Sequence, residues 1–269
     1  MGTVVVTGSS KGIGRGLATE FIRRGHDVVV TARDPIQVEQ AAQELTALGP
    51  GRATGVVCDV TKKSDVEALW QAAVRTFGRV DWWINNAGHA DAQWNVHEMP
   101  EPAVHKLIDG NFKGTIFGSQ VAALGMRAQG SGALYNMLGG SFGGGRVTPN
   151  MGVYSSTKAA VWKLTQYLVA ENKGTGVLVG SISPGMLISD NWFQQQKQMT
   201  PEEWVKIRPF LNILCDHVDT AAPWLVEQVL ANRESGKRIA WLTNGKITGR
   251  FFDAYVLRRK RDLFSRYGL

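Results

Sequence analysis

Short runs rich in β-branched residues alternate with segments of helical period along most of this chain, and that alternation constrains the fold more than any other feature. Thr3 to Thr7 precedes Ile13 to Arg24, Asp27 to Thr31 precedes Ile36 to Leu48, and Ala53 to Val57 precedes Ser64 to Phe77. Strand character returns at Asp81 to Asn85 and Ala133 to Met137, with a long helical stretch from about Glu101 to Arg127 between them. Val153 to Asn172 reads as a helix, Gly176 to Ile182 as a strand, Ala221 to Ala231 as a helix and Ile239 to Leu242 as the last strand. Seven strands joined by helical crossovers should lie parallel, with right-handed connections and helices on both faces. The expectation is therefore an α/β fold of Rossmann type, a doubly wound parallel seven-stranded sheet in a single domain. Ligand should sit at the carboxyl ends of its strands.

Residues 1–250 form the expected body. The stretch 185–219 interrupts its rhythm as an irregular, aromatic-bearing insertion and reads as a lid. Residues 251–269 read as a tail in which Phe251 to Tyr267 forms a basic amphipathic helix. Such a helix can rest on an anionic membrane, although packing on the core or on a second copy is the plainer reading. Apolar residues make up 43% and charged residues 20%, which excludes a disordered or collagen-like chain. No apolar run approaches the roughly 18 residues of a membrane span. Cys58 and Cys215 lie far apart and match no metal-ligand spacing, which fits free thiols in a reducing compartment. With no export signal after Met1, the expected location is cytoplasmic, with membrane association only through the tail. The net charge of +7 is scattered except at the C-terminal end, so no nucleic-acid partner is required.

Thr7-Gly8-Ser9-Ser10-Lys11-Gly12-Ile13-Gly14 follows the first strand and opens the first helix. A turn of this kind brings backbone amides and the positive end of a helix up to a pyrophosphate. After the second strand, where an acid usually holds the ribose diol of NAD, stand Ala32 and Arg33. Arg33 offers a planar fork to a 2′-phosphate and Lys11 a second cation, so NADP(H) is the expected cofactor. Asp59, at the end of the third strand, is placed to accept from an adenine amine or simply to cap the next turn.

Tyr154 and Lys158 are four residues apart on a predicted helix and therefore share a face. A nearby ammonium should lower the phenol's pKa toward neutrality and fit Tyr154 for acid/base work. The spacing alone is only suggestive, and its neighbours carry more weight.

With Tyr154-Ser155-Ser156-Thr157-Lys158, the chain resembles the short-chain dehydrogenase/reductase family in its roughly 250-residue branch. The glycine turn, Asn85-Asn86-Ala87-Gly88, Asn111 and Ser183-Pro184-Gly185 all stand in that family's order. The resemblance implies catalytic roles for Asn111, Ser141, Tyr154 and Lys158. Ser141 lies thirteen residues before the tyrosine, where the family's substrate-polarising serine is usual, and Asn111 would hold a water that refills the proton on Tyr154. It further implies that Gly8, Ser10, Lys11, Gly12, Ile13, Gly14, Arg33, Asp59, Val60, Asn86, Ala87 and Gly88 line the cofactor. Asn85 shapes the same wall, Tyr154 and Lys158 touch the ribose side, and Pro184, Gly185, Leu187 and Ser189 clamp the carboxamide. No metal is implied.

The lid's Trp192, Phe193, Met199, Trp204, Ile207, Phe210 and Leu211, with Met186, Met151 and Trp94 nearby, suit a bulky hydrophobic carbonyl or alcohol. Asn136-Met137, Arg146-Val147-Thr148-Pro149, Ser183-Pro184-Gly185-Met186 and Phe210-Leu211-Asn212-Ile213-Leu214 resemble chlorophyll b reductases, which reduce a formyl group on a large tetrapyrrole. A steroid-like or terpenoid carbonyl stays open, as does the alternative of a catalytically silent NADP(H)-binding regulatory or scaffold protein. The family's habit of oligomerising implies a homodimer or homotetramer.

Overall fold

The computed structural model describes all residues except 91–93, 140–146, 190–192, 194–195 and 198. Strands β1 (Thr3–Val6), β2 (Asp27–Ala32), β3 (Ala53–Val57), β4 (Trp82–Asn85), β5 (Gly132–Met137), β6 (Val177–Ser183) and, later, β9 (Arg238–Ala240) form the main sheet. It has seven strands in the order β3-β2-β1-β4-β5-β6-β9, and every pairing is parallel. The doubly wound expectation holds. All four residues of β1 are buried, as a central parallel strand covered on both faces requires.

Helix α1 (Gly12–Arg23) and α8 (Val218–Ala231) cover one face, where Leu17, Phe21, Leu225 and Val229 pack on Val4 and Val28. Helices α3 (Lys63–Phe77) and α5 (Gly114–Gln129) cover the other, where Leu69, Trp70, Ala122 and Met126 pack on Val5 and Trp83. Helix α2 (Pro35–Thr46) starts where Asp34 accepts hydrogen bonds from the amides of Ile36 and Gln37, with Pro35 in the first turn. The winding reverses between β1 and β4, so the loops after these two strands part and leave a crevice.

Three expectations need correction. The long helix is two helices, α4 (Glu101–Leu107) and α5, joined by a π turn over Ile108–Lys113. The lid is regular where it is described: β7 (Met186–Ile188) and β8 (Cys215–His217) pair in parallel, with α7 (Pro201–Leu214) between them. Its start is a capping box: Glu203 donates its amide to Thr200 Oγ1 at 3.2 Å and accepts the Thr200 amide at 2.9 Å. That signature stands in the sequence as Thr200-Pro201-Glu202-Glu203.

The tail is not one amphipathic helix. Helix α9 (Asn244–Tyr255) crosses the boundary expected at residue 250, and the chain then turns at Arg258, whose φ is 54°. Beyond that turn it runs back over the lid. Phe264 is fully buried there, edge-on to Trp204 at 5.0 Å, in a cluster with Ile188, Leu211 and Cys215. Burying a side chain of this size is worth about 2–3 kcal/mol, which outweighs the weak helical preference of a short basic segment.

Helix α6 (Gly152–Glu171) follows β5 and faces the crevice. The strand and helix termini at the reversal point therefore bring the glycine turn, the β4 loop and α6 to one end of the sheet.

Candidate active site

The glycine turn is sewn to the end of β4. Thr7 Oγ1 accepts the amides of Asn86 and Ala87 at 2.9 and 3.0 Å, and Asn86 Nδ2 donates to the carbonyls of Thr7 and Gly8 at 2.8 and 3.2 Å. Gly8 has φ 65°, and a Cβ there would lie 2.9 Å from Ala87 Cα, so only glycine fits. Ser10 and Ile13 are partly buried on either side of Lys11, and Gly14 is buried in the first turn of α1. The N-cap residue Lys11 supplies no side-chain cap to α1. A close-packed turn with an amide-bearing helix start at the strand ends fits a dinucleotide pyrophosphate.

The second cofactor loop is tied to the first, because Ser9 and Thr31 exchange hydrogen bonds of 2.9 and 3.1 Å. Arg33 lies exposed just beyond. Asp34, next in the chain, caps α2 and accepts from Gln37 Nε2 at 2.9 Å. Asp59 closes a turn by accepting the Thr61 amide and hydroxyl at 3.1 and 2.8 Å. Partial burial works against its charge, yet the Thr61 donors and Arg33 hold the carboxyl below its ordinary range. Val60 packs against Gly114 at the start of α5.

Asn85 does not face the crevice. Its amide lies in the core, accepting from Trp83 Nε1 at 2.8 Å and donating to Asn136 Oδ1 at 2.8 Å and Ser119 Oγ at 3.1 Å. Asn136 passes the chain to Thr165 of α6 at 3.0 Å. This buried network, invisible in the sequence because its members are far apart, locks β4, β5, α5 and α6 together beneath the site. Gly88 is the exposed member of the β4 loop, beside Asn111 Oδ1 and Lys158 Nζ.

Asn111 is fully buried in the π turn. Its side chain accepts the His89 amide at 2.7 Å and donates to the His89 carbonyl at 2.8 Å and Thr157 Oγ1 at 3.2 Å. All of its polar atoms are engaged in clipping the β4 loop to α6. A π turn supplies this geometry, since the extra residue rotates Asn111 inward.

Lys158 is 5% exposed and donates to the Met137 carbonyl at 3.1 Å, with Nζ 6.0 Å from the Tyr154 ring centre. Burial pushes the Tyr154 phenol up to about 12 and the Lys158 ammonium down to about 8. The expected sign is thereby reversed, because desolvation is what moves both groups. At neutral pH Tyr154 holds its proton firmly, and Lys158 loses its own more easily than an exposed lysine does.

The residue that meets the Tyr154 hydroxyl is Gly139. A Cβ there would lie 2.0 Å from Tyr154 Oη and 3.0 Å from Lys158 Cγ. Nothing in the sequence marks it apart from its place just after β5. Ser141 lies outside the described residues. Pro184 is buried after β6, Gly185 has φ 75° against Leu242, Leu187 is buried on β7, and Ser189 Cβ faces the glycine turn, 3.9 Å from where a Cβ of Gly12 would stand. Trp192 of the lid is likewise outside the described residues. Phe193, Trp204, Ile207 and Leu211 pack the lid on the tail rather than lining a cleft, whereas Met186, Trp94 and Phe210 are exposed. Among the described residues no cluster of potential metal ligands occurs.

An open parallel sheet, a glycine turn at its reversal point and a Tyr/Lys pair on the helix opposite define a dinucleotide-type oxidoreductase site. Residues 2–200 match the family described as short chain dehydrogenase, and the chain belongs to that family. It is 33% identical over 270 residues to a chloroplastic chlorophyll(ide) b reductase of Oryza sativa subsp. japonica, covering 97% of this chain and 77% of that protein. A probable chloroplastic chlorophyll(ide) b reductase of Arabidopsis thaliana is 30% identical over 276 residues, 93% of this chain, but the chain spans only 54% of that relative's length. An uncharacterized oxidoreductase of Staphylococcus aureus (strain N315) is 38% identical over 183 residues, 68% of this chain and 77% of that one. Among solved structures, a short-chain type dehydrogenase/reductase from Mycobacterium marinum shares the fold, with a TM-score of 0.79 at 23% identity over 89% of this chain and 93% of its own.

Proposed function

We propose that the protein is an NADP(H)-dependent reductase of a carbonyl, formyl above all, carried on a bulky hydrophobic molecule. One observation carries the reading: the Tyr154 phenol, desolvated and protonated at neutral pH, meets Gly139 just after β5, one helical turn before the buried Lys158 amine that stands beside the exposed Gly88. When bound, the nicotinamide supplies the hydride for the carbonyl carbon. Tyr154 donates a proton to the carbonyl oxygen as charge develops there. Lys158, anchored on Met137, holds the ribose side and stabilises the phenolate left behind. Gly8, Gly12 and the start of α1 receive the pyrophosphate.

The reading as NADP(H) rests on Arg33, exposed just after β2 and next to the helix-capping Asp34, with exposed Lys11 on the adjoining loop. The similarity to chlorophyll(ide) b reductases over nearly the whole chain supports a formyl tetrapyrrole or a comparably large apolar carbonyl as substrate. Met186, exposed at the start of β7 next to Leu187, provides apolar surface for such a ring.

The test is NADPH oxidation followed against formyl tetrapyrroles and other bulky aldehydes and ketones, with NADH in parallel. NADPH should be preferred, and Arg33→Ser should cut the NADPH-over-NADH ratio about tenfold, the worth of one charge-assisted contact. A wild-type preference for NADH would refute the roles given to Arg33 and Lys11.

A further inference from the structure

Cofactor-side residues Leu187 and Ser189 sit on or beside β7, a strand of three residues whose ladder partner is β8. A two-stranded ribbon this short has little stability of its own. Leu187 joins the core that α8 lays on the main sheet, and the ribbon's other support lies on the far side of β8. Asp216, opposite Leu187 in the register, is 3% exposed. Its carboxylate accepts from Arg250 Nη2 of α9 at 2.6 Å, from Arg261 Nη2 of the tail at 2.6 Å and from Trp241 Nε1 at 2.7 Å. Both arginines reach further. Arg261 Nη1 donates to the Ile213 carbonyl at 3.0 Å and Arg250 Nη1 to the Leu214 carbonyl at 3.2 Å, closing the end of α7. Next to this knot Phe264 fills the lid's core, and the Leu263 amide donates to Asn212 Oδ1 at 2.9 Å.

We propose that the C-terminal strap, residues 258–269, is a positioning device for the cofactor: through Arg261 on Asp216 it fixes β8, hence β7, hence the placement of Leu187 and Ser189 against the glycine turn. Arg261 and Asp216 are positioning residues in this scheme and touch neither cofactor nor substrate. The proposal rests on the cofactor assignment above and adds that a segment remote in sequence sets the cofactor's affinity. The geometry favours a directed role over bulk stabilisation, because the anchor is tied to the one ribbon that carries the clamp. The seven-stranded sheet holds together without it, since Leu225 and Val226 pack α8 there independently.

The experiment compares Arg261→Gln with wild type by NADPH fluorescence titration and by hydrogen exchange resolved to peptides. Arg250 still pairs with Asp216 in this variant, so the buried carboxylate keeps one counter-ion. The expected result is an NADPH Kd raised about tenfold, a turnover at saturating NADPH within about twofold of wild type, and lost protection at residues 186–189 with the main-sheet strands unchanged. Arg261→Lys keeps the charge but cannot reach Asp216 and Ile213 together; it should fall between the two, and it carries the test if the glutamine variant fails to fold. Unchanged protection at 186–189 in a variant whose residues 258–269 have loosened would overturn the proposal. Should wild type bind neither NADPH nor NADH, the functional reading falls, while the exchange data still decide whether the strap holds β7.

Discussion

Replacing Lys158 by methionine should lower turnover by about a thousandfold and, at pH 7, raise the melting temperature. The loss is that of a positioned proton-handling pair, whose usual contribution is on the order of 10²–10⁴. The gain follows from burial. The folded protein drives the Lys158 ammonium from 10.5 down to about 8. Below about pH 8 the amine is charged in both folded and unfolded chains, and folding bears the whole cost of desolvating it. Between pH 8 and 10.5 the unfolded chain binds a proton that the folded one does not, so wild-type stability rises with pH and the cost disappears. The shift corresponds to roughly 3 kcal/mol, from which the lost hydrogen bond to the Met137 carbonyl removes about 1. A net gain of about 2 kcal/mol, or some 4–8 °C for a chain of this size, should therefore appear at pH 7 and fade toward pH 10. Thermal melts of both proteins at pH 7, 8, 9 and 10 check it; a methionine variant less stable than wild type at pH 7 would mean that the amine is solvated after all. Tyr154→Phe is the companion. Turnover should fall to a similar degree, and because the phenol is neutral at pH 7 the melting temperature should barely move there.

How much of this could be read in the sequence depends on the range of the forces involved. The seven strands of the main sheet and the glycine turn are written in local periodicity, and the Tyr154/Lys158 face in helical spacing read together with the motifs around it. Arg33 in place of an acid is equally local. The tail misled because the alternation of Phe251, Phe252 and Tyr255 with Arg258 to Arg261 describes amphipathicity without saying what covers the apolar side. Only the tertiary structure shows that Phe264 and Arg261 are drawn onto the lid, so that the helix carrying Phe251, Phe252 and Tyr255 ends there and the basic residues beyond it leave the helix. The sign of the Tyr154 shift failed for a related reason: a neighbouring charge can be seen in the sequence, but desolvation requires knowing how much protein surrounds the group. Asn85 reads as a cofactor residue by position, yet its amide is consumed by Trp83, Ser119 and Asn136, contacts made across two strands and a helix.

Gly139 is the largest omission, and it gives the sharpest structural test. Gly139→Ala should reduce turnover about a hundredfold while leaving the NADPH Kd within about threefold of wild type. Its φ lies outside the left-handed region, so alanine meets no backbone strain there and any effect is steric. The added carbon would sit 2.0 Å from Tyr154 Oη and 2.7 Å from Cζ, and the phenol must move by about an ångström to clear it. A displacement of that size at a proton-transfer centre costs on the order of 10²-fold. The stability cost should be limited to the 1–3 kcal/mol usual for overpacking. Gly139→Ser adds the same carbon together with a hydroxyl, and it should fail as badly, because a donor at this place cannot help once the phenol has been pushed aside. Steady-state kinetics with a competent carbonyl substrate, paired with NADPH titration, separates the outcomes. Full turnover in the alanine variant would mean that Tyr154 works from a position away from Gly139, and the contact that defines the proton donor here would have to be abandoned.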